Sequence, residues 1–162
     1  MALMTDICAQ IRRAGSQDLP TLAKFGRALA NLHATFDEQR FVAPDEAALR
    51  QFFEGELARK DAVIVIAEVD SAPIGYAFVR LEPASIEALM DPSAWLHDIY
   101  IIPEARARGA GRRLVEAAFD AARSVGSKTL MLGVSPRNAS GRALFERMGF
   151  RPTMIEMSAP AK

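Results

Sequence analysis

The fold is decided by the stretch Pro103-Glu104-Ala105-Arg106-Ala107-Arg108-Gly109-Ala110-Gly111-Arg112, which joins an apolar run to an amphipathic one. The run before it, Trp95 to Ile102, has the aromatic and β-branched composition of a strand. The residues after it, Gly109 to Val125, place apolar side chains at helical spacing and charged ones between them. The sequence therefore predicts a strand–loop–helix joint at this point.

The joint has the features of an anion site. The first amides of a helix lack an intrahelical acceptor and lie at the positive end of the helix dipole, so they can bind a diphosphate. Gly109 and Gly111 let the backbone approach a ligand closely, and Arg106, Arg108 and Arg112 add positive charge. Such a hexamer also occurs as a solvated basic loop with no ligand, so both interpretations stay open at this point.

Two nucleotide motifs are excluded by spacing. The dinucleotide fingerprint requires a third glycine where Leu114 stands, and the P-loop requires a Gly-Lys-Ser/Thr that the stretch lacks. A nucleotide-binding switch at Gly109–Gly111, which would bind ATP or NAD in competition with coenzyme A, is therefore disfavoured.

The rest of the chain is predicted to mix strands and helices. The order β-α-α-β-β-β-α-β-α-β predicts an α/β (α+β) fold with a mixed, mostly antiparallel central sheet and helices on both faces. In the first half, the predicted elements are a strand at Cys8 to Ala14 with Cys8 buried, a helix capped by Ser16 and carrying Leu19 to Leu32, a helix from near Pro44-Asp45, and an antiparallel hairpin of Ala62 to Val69 and Ile74 to Leu81. In the second half they are the strand Trp95 to Ile102, the helix Gly109 to Val125, a strand at Lys128 to Val134, a helix at Asn138 to Met148 and a last strand at Phe150 to Met157.

Composition predicts one soluble domain spanning residues 1–162. Half of the residues are apolar, and Lys+Arg and Asp+Glu balance at 20 each, so no overall field attracts nucleic acid or an anionic membrane. A single cysteine excludes an internal disulfide and an all-cysteine metal site, and with two histidines no metal is expected. Met1 to Asp6 does not resemble a signal peptide, so we expect a cytoplasmic protein.

Three motifs occur in a fixed order along the second half of the chain. They are Asp98-Ile99-Tyr100-Ile101-Ile102-Pro103-Glu104, the Arg-x-x-Gly-x-Gly turn at Arg106–Gly111, and Asn138 followed by Ala143-Leu144-Phe145-Glu146-Arg147-Met148-Gly149-Phe150. Together they resemble the core of the Gcn5-related N-acetyltransferase (GNAT) superfamily. The N-terminal strand and two helices also fit that superfamily's order, so the resemblance covers nearly the whole chain.

The resemblance implies a function. Members move an acetyl group from acetyl-CoA, a co-substrate, directly to an amine with no acyl-enzyme. Here the amine would belong to a small molecule or a peptide, and the resemblance leaves a homodimer open. It also implies a set of cofactor contacts, namely Ile99, Tyr100 and Ile101 along the pantetheine, Arg106, Ala107, Arg108, Gly109, Ala110, Gly111 and Arg112 around the pyrophosphate, and Asn138, Gly141 and Phe145 beside the pantetheine arm. Asn138 is also typical of a plain helix cap, and both interpretations stay open.

Phe145 departs from the family pattern, because a tyrosine that acts as an acid commonly stands there. Phenylalanine cannot donate a proton, although a thiol with a pKa near ~8.5 leaves tolerably as a thiolate. Tyr100 is the favoured replacement and Tyr76 the second candidate. A non-catalytic acyl-CoA-binding module or sensor is the alternative function that Phe145 suggests.

His97 is the first candidate for the general base, because an imidazole titrates near neutral pH. By resemblance it matches a position where polyamine-type members carry a glutamate. Asp98 is the alternative, since a bulge in this strand would alter which side chains face the cleft. A histidine in a strand can equally be a structural residue bonded to backbone, so this role is a hypothesis.

The acceptor amine is expected between the first two helices and the central strands. The predicted wall consists of His33, Asp37, Glu38 and Arg40, with Phe41 beside them. The two carboxylates could hold a cationic amine through charge-assisted bonds, although a charged loop of this kind is more often simply solvated.

Overall fold

The computed structural model describes residues 8–161, so Met1 to Ile7, which include the segment considered above as a signal peptide, lie outside the described part, as does Lys162. The elements are β1 (Gln10–Arg13), α1 (Leu19–Phe36), α2 (Glu46–Leu57), β2 (Ala62–Val69), β3 (Ala72–Glu82), β4 (Ser93–Ile101), α3 (Ala110–Ser124), β5 (Leu130–Leu132) and α4 (Ala139–Arg147). Within residues 8–161, no helix combines the length and the apolar composition that crossing a membrane requires.

One sheet organises the fold. Its strands lie in the order β1-β2-β3-β4-β5, and each neighbouring pair is antiparallel except β4 and β5, which are parallel. The predicted hairpin is confirmed, because β2 pairs antiparallel with β3 through a tight turn in which Asp70 and Ser71 adopt φ of +50° and +64°. Left-handed conformations at both turn residues suit a hairpin because they match the twist of the strands.

Helices cover both faces of the sheet, as predicted. On one face α1 and α2 bury a cluster that includes Leu22, Phe25 and Phe53 against the tyrosine and phenylalanine side chains of β3. On the other face α3 buries Leu114 and Val115 against alternate residues of the same strands. This alternation is what a strand buried on two sides requires, since successive side chains point to opposite faces.

The predicted last strand at Phe150 to Met157 is wrong. Phe150 stacks on Phe119 with ring centroids 5.3 Å apart, but residues 151–161 form no strand and are exposed. The apolar residues of this segment suggested a strand, yet a strand also needs a neighbour with a free edge. Pro152 cannot donate to a ladder, and β5 spans only three residues.

Two further predictions near the N-terminus are wrong. Cys8 is exposed, because the strand begins two residues later, at Gln10. Ser16 is not the cap of the first helix: the side chain of Asp18 accepts the Gly15 N–H at 2.8 Å and is itself held by Arg12 at 2.8 Å. The predicted start of the second helix is confirmed by the Asp45 carboxylate, which accepts the Ala48 N–H at 2.7 Å.

The close approach of β3 to β4 gives a first prediction. A Cβ at Gly75 would collide with the main-chain oxygen of Tyr100 and lie 3.2 Å from the Ile101 Cα. Because both are backbone atoms of a neighbouring strand, Gly75→Ala should lower the free energy of unfolding by about 1–3 kcal/mol. Urea denaturation measures this change.

The matched control is Gly55→Ala in α2, where an added Cβ meets no atom within 4 Å. Replacing a glycine inside a helix should raise the free energy of unfolding by about 0.5–1 kcal/mol. Equal stability of the two variants would contradict the close approach.

Candidate functional site

The central feature is a gap in the sheet. β5 pairs with β4 only where Leu130–Leu132 lies beside Ala94–Leu96. β4 then continues to Ile101, whereas β5 has ended, one residue before Gly133. Within residues 8–161, the part of β4 beyond Leu96 therefore has a strand on one side only.

The orientation of the backbone determines which polar groups this gap exposes. The Ile102 N–H donates to the Ile74 carbonyl on β3 at 2.9 Å. Alternate residues of a strand direct their main-chain groups to opposite neighbours, so those of Ile99 and Ile101 point into the gap. The Ile101 carbonyl there accepts the Arg106 Nε–H at 2.9 Å. Ile99 thus offers an amide to a ligand that lies along β4.

A cleft lies in this gap, and its lining includes residues from both faces of the sheet. Leu29 of its lining belongs to the cluster under α1 and α2, whereas Phe145 belongs to the cluster under α3. A molecule bound from the α3 side can therefore contact one bound from the α1 side. The lining residues are Leu29, Leu32, His33, Leu96, His97, Ile99, Leu132, Gly133, Val134, Ser135, Asn138 and Phe145.

β4 contains a bulge, which changes the side chains that face the cleft. Asp98 pairs with Phe78 and Leu96 pairs with Val79, so His97 is an extra residue between two pairs. The bulge places two successive side chains on the face covered by α1 and α2. His97 stacks on Phe78 with ring centroids 5.2 Å apart, and Asp98 accepts the Tyr76 hydroxyl at 2.8 Å.

His97 belongs to a network of hydrogen-bonded charged side chains that the sequence analysis did not predict. Its Nε2 lies 2.7 Å from Glu82 Oε1, which also accepts the Arg80 Nε–H at 2.8 Å. The Arg80 guanidinium is in turn bound to the buried Glu56 of α2 at 2.8 Å. Spacing along the chain could not reveal these contacts, because α2 lies far from β4 in sequence.

Ionisation of Glu82 fixes the tautomer of His97. Although burial opposes it, the hydrogen bonds from Arg80 and His97 lower the pKa of the Glu82 carboxyl. A carboxylate can only accept, so Nε2 of His97 carries a proton, and in the neutral ring Nδ1 holds the lone pair. The imidazole can therefore accept a proton at Nδ1 while Glu82 stabilises the cation that forms.

Asp98 and Tyr76 form a hydrogen-bonded pair, half-buried at Asp98, rather than an open catalytic group. Burial raises the pKa of the Asp98 carboxyl, and the Tyr76 hydrogen bond and the nearby His97 and His33 offset this only in part. Burial and the Asp98 charge raise the pKa of Tyr76. The Tyr76 hydroxyl already donates to Asp98, so it is not free to protonate a leaving group.

Tyr100 lies on the α1 and α2 face, with its ring 5.5 Å from Phe25 and the Arg106 guanidinium 5.7 Å from the ring centroid. Ile99, which precedes it, packs against the opposite cluster. Phe145 lies in the cleft, with its ring 5.7 Å from that of Phe150. The side chain of Tyr100 therefore lies on the opposite face of the sheet from those of Ile99 and Phe145.

The predicted anion site has free amides. Within residues 8–161, the amides of Ala107 to Arg112 donate to no protein acceptor, and the first bond of α3 is Arg113 N–H to the Gly109 carbonyl at 3.2 Å. Ala107 and Gly109 adopt φ of +56° and +85°, which turns the chain sharply into the helix. The arrangement can accept a diphosphate at the positive end of a 15-residue helix.

The arginines of this turn differ in their contacts. Arg106 is held by the Ile101 carbonyl, and Arg112 pairs with Glu116 at 2.8 Å on the exposed face of α3. Arg108 is half-buried and forms no ion pair within the described residues. Within residues 8–161, neither Arg106 nor Arg108 pairs with a carboxylate, and of the two only Arg106 is held by a main-chain oxygen.

Gly111, Asn138 and Gly141 have structural contacts. A Cβ at Gly111 would lie 3.1 Å from Leu144 and 3.3 Å from Ile101, so this glycine lets α3 pack against α4 and β4. Asn138 caps α4, since its Oδ1 accepts the Gly141 N–H at 3.0 Å, and it also lines the cleft. The cap is thus observed, and the cofactor contact stays a prediction.

The predicted acceptor wall is brought together only in part. His33 lines the cleft and lies 4.9 Å from the Phe41 ring. Burial lowers the pKa of His33, with Asp98 opposing, so the imidazole is neutral near neutral pH. The Asp37 carboxylate accepts the Arg40 N–H at 3.3 Å and so stabilises the turn that follows α1.

The charged residues of this wall do not line the cleft. The Arg40 guanidinium donates through Nη2 to Glu156 Oε2 at 3.0 Å, and Glu38 is exposed. Sequence reasoning missed Arg137, which donates to the Phe36 carbonyl at 2.7 Å and ties the loop after β5 to the end of α1.

Comparison with known proteins identifies the family. The sequence profile of the Acetyltransferase (GNAT) family matches residues 27–150. The chain belongs to this family. The uncharacterized N-acetyltransferase YhfO of Bacillus subtilis is 34% identical over 140 residues, which is 86% of this chain and 88% of that protein. Aminoglycoside N(6')-acetyltransferase type 1 of Klebsiella aerogenes is 28% identical over 65% of this chain and 69% of its own length.

A solved structure shares the GNAT fold described above. An aminoglycoside N-acetyltransferase in complex with CoA superimposes with a TM-score of 0.78, at 20% identity and with 95% of each chain covered. At this identity the likeness shows the fold alone, and it is the fold that the sequence motifs predicted.

The half-buried Asp98 gives a second prediction. Its pKa lies above the ordinary value of 3.8, so ionisation of this carboxyl reduces stability as the pH rises through and above that value. Asp98→Asn cannot ionise and keeps an oxygen for the Tyr76 hydroxyl. The variant should be more stable than the wild type near neutral pH, and the difference should vanish at acidic pH. Thermal unfolding across a pH series measures it.

The control for this experiment is Asp120→Asn on the exposed face of α3. Its stability relative to the wild type should not follow the same pH course, because that carboxyl is not desolvated. A constant difference between Asp98→Asn and the wild type at every pH would contradict the prediction.

Proposed function

We propose that the protein transfers an acetyl group from acetyl-CoA directly to the amine of a small molecule or peptide. The cleft that joins the two faces of the sheet carries this proposal. It allows a thioester held on the α3 side to meet an amine held on the α1 side. Membership of the GNAT family and relatives named as N-acetyltransferases support acyl transfer as the reaction class.

The donor side is formed by main-chain groups. The free amides from Ala107 to Arg112 bind the pyrophosphate, with Arg108 adding charge. The Ile99 amide in the gap beside β4 polarises the thioester carbonyl, because it points to where that oxygen would carry negative charge. Acetyl-CoA supplies the activated acetyl group.

The acceptor side supplies the base. As the amine nitrogen bonds to the carbonyl carbon and the carbon–sulfur bond breaks, Nδ1 of His97 takes the proton that the amine loses. Glu82 holds the ring and stabilises the imidazolium. The sulfur departs as a thiolate, because Phe145 cannot protonate it and Tyr76 is engaged by Asp98.

A non-catalytic acyl-CoA-binding module is the second candidate, and the phenylalanine at position 145 favours it. The two functions differ in one observable, the release of free CoA thiol that depends on an added amine. Release over a panel of amines supports transfer, whereas tight CoA binding with no amine-dependent release supports the binding module.

The base gives a third prediction. His97→Ala should lower kcat by about a hundredfold to ten-thousandfold, because proton transfer in the transition state contributes that much. Affinity for acetyl-CoA should change little, since His97 lies on the acceptor face. Glu82→Gln should lower kcat less, because the ring stays in place but its cation loses a negative partner.

His33→Ala provides the comparison, because His33 lines the same cleft without a carboxylate partner among the described residues. It should raise the KM of the amine more than it lowers kcat. A His97→Ala enzyme with a kcat close to the wild-type value would remove His97 from the mechanism.

The anion site gives a fourth prediction. Gly109 at the start of α3 and Gly126 just after its end have φ of +85° and +83°. Valine at either position strains the backbone, at a cost of about 1–2 kcal/mol. Gly109→Val should weaken CoA binding at least about tenfold, and Gly126→Val should not, because only the first lies among the free amides. Calorimetric titration with CoA separates strain from binding.

Equal CoA affinity of the two valine variants would contradict the assignment of the pyrophosphate to this turn. Gly111→Val is a poorer test, because its side chain would also press on Leu144 and Ile101.

A further inference from the structure

A second cavity lies beside Glu82, the partner of His97, beneath the loop that joins β3 to β4. The loop folds back on itself, since Ser85 and Met90 exchange N–H to carbonyl bonds of 2.9 Å. Ala84, Met90 and the indole of Trp95 form apolar walls, and Glu82 and Asp91 also line the cavity. Because Glu82 also bonds to His97, a molecule in this cavity would lie close to the proposed base.

Register places this cavity on the acceptor face of the sheet. Trp95 pairs with Arg80 across β3 and β4, so their side chains lie on the same face. Arg80 binds Glu56 of α2, which identifies that face as the one that carries His97. Glu82 lines the second cavity while its carboxylate contacts His97, so it connects this cavity to the cleft.

The charge of this region is one-sided. Residues 81–105 contain five carboxylates and neither lysine nor arginine. Arg80, the nearest cation before this segment, is matched by Glu56 and Glu82. Both bonds that Glu82 accepts, from Arg80 and from His97, use Oε1. Within residues 8–161, Glu82 Oε2 and the Asp91 carboxylate therefore remain available to a donor.

We infer that this cavity is a subsite for an acceptor that carries a second cationic group, joined by an apolar spacer to the amine that is acetylated. The inference rests on the proposed function and names its substrate class. Asp91 binds the distal ammonium, the indole and Met90 contact the spacer, and the Glu82 carboxylate, on the Nε2 side of His97, attracts the positive charge of the acceptor. An acceptor with an anionic far end would meet repulsion there.

Trp95 makes the subsite directly observable, because it is the chain's one tryptophan. Terminal diaminoalkanes of increasing chain length are titrated against the protein while its fluorescence is recorded, each beside the alkylamine and the ω-aminoalkanoate of equal length. The diamine should produce a saturable change at a concentration at least about threefold lower than the alkylamine. The aminoalkanoate should bind more weakly than the alkylamine.

Asp91→Asn and Glu87→Gln form a matched pair. Each removes one negative charge from the same loop, and both residues are exposed, but only Asp91 lines the cavity. Asp91→Asn should reduce the preference for diamine over alkylamine about fivefold, in fluorescence and in kcat/KM alike. Glu87→Gln should keep the wild-type preference. Equal preference in both variants, or a wild type that binds all three compounds equally, would overturn the inference.

The titration also separates this inference from the proposed function, because it needs no acetyl transfer. Diamine binding that depends on Asp91, without amine-dependent thiol release, would support the subsite and contradict the transferase. Thiol release with no preference for a second cation would support the transferase and overturn the subsite.

Discussion

The separation of β4 from β5 beyond Leu96 is the constraint on which the rest of the site depends. A continuous parallel pair would occupy the main-chain groups of Ile99 and Ile101 and close the sheet. Because β5 ends at Leu132, the main-chain groups of Ile99 remain available to a ligand, although Arg106 occupies the Ile101 carbonyl, and the cleft has lining residues from both faces of the sheet. The gap between β4 and β5 thus opens the sheet at this point. In the proposed function, the acetyl donor and the acceptor amine approach this gap from opposite faces of the sheet.

The bulge at His97 supplies the polar side chains of the proposed reactive site. One extra residue in β4 turns two successive polar side chains to the face covered by α1 and α2, where alternation would have allowed one. Asp98 accepts a hydrogen bond from the Tyr76 hydroxyl. His97 is oriented by its bond to Glu82 and by stacking on Phe78. The two side chains differ because the Asp98 carboxyl is desolvated and bonded to Tyr76, whereas the His97 imidazole lines the cleft, where it can exchange a proton.

Local sequence patterns determined much of this protein. Apolar periodicity located each helix, and the β-branched run Ala62–Val69 became a strand with those same ends. The glycine and arginine turn predicted a helix start with free amides, which the structure contains at Ala107 to Arg112. These features were readable because each depends on residues within a few positions of one another, where propensity and spacing act directly.

Tertiary structure alone decided what depends on neighbours distant in sequence. The apolar residues after Phe150 suggested a strand that does not form, because a strand needs a paired edge as well as a pattern. The link from Glu56 through Arg80 and Glu82 to His97 joins a helix to two strands, and no spacing encodes it. Sequence fixes which groups can ionise or bond, whereas the packing of distant elements decides which of them are buried, paired or left free.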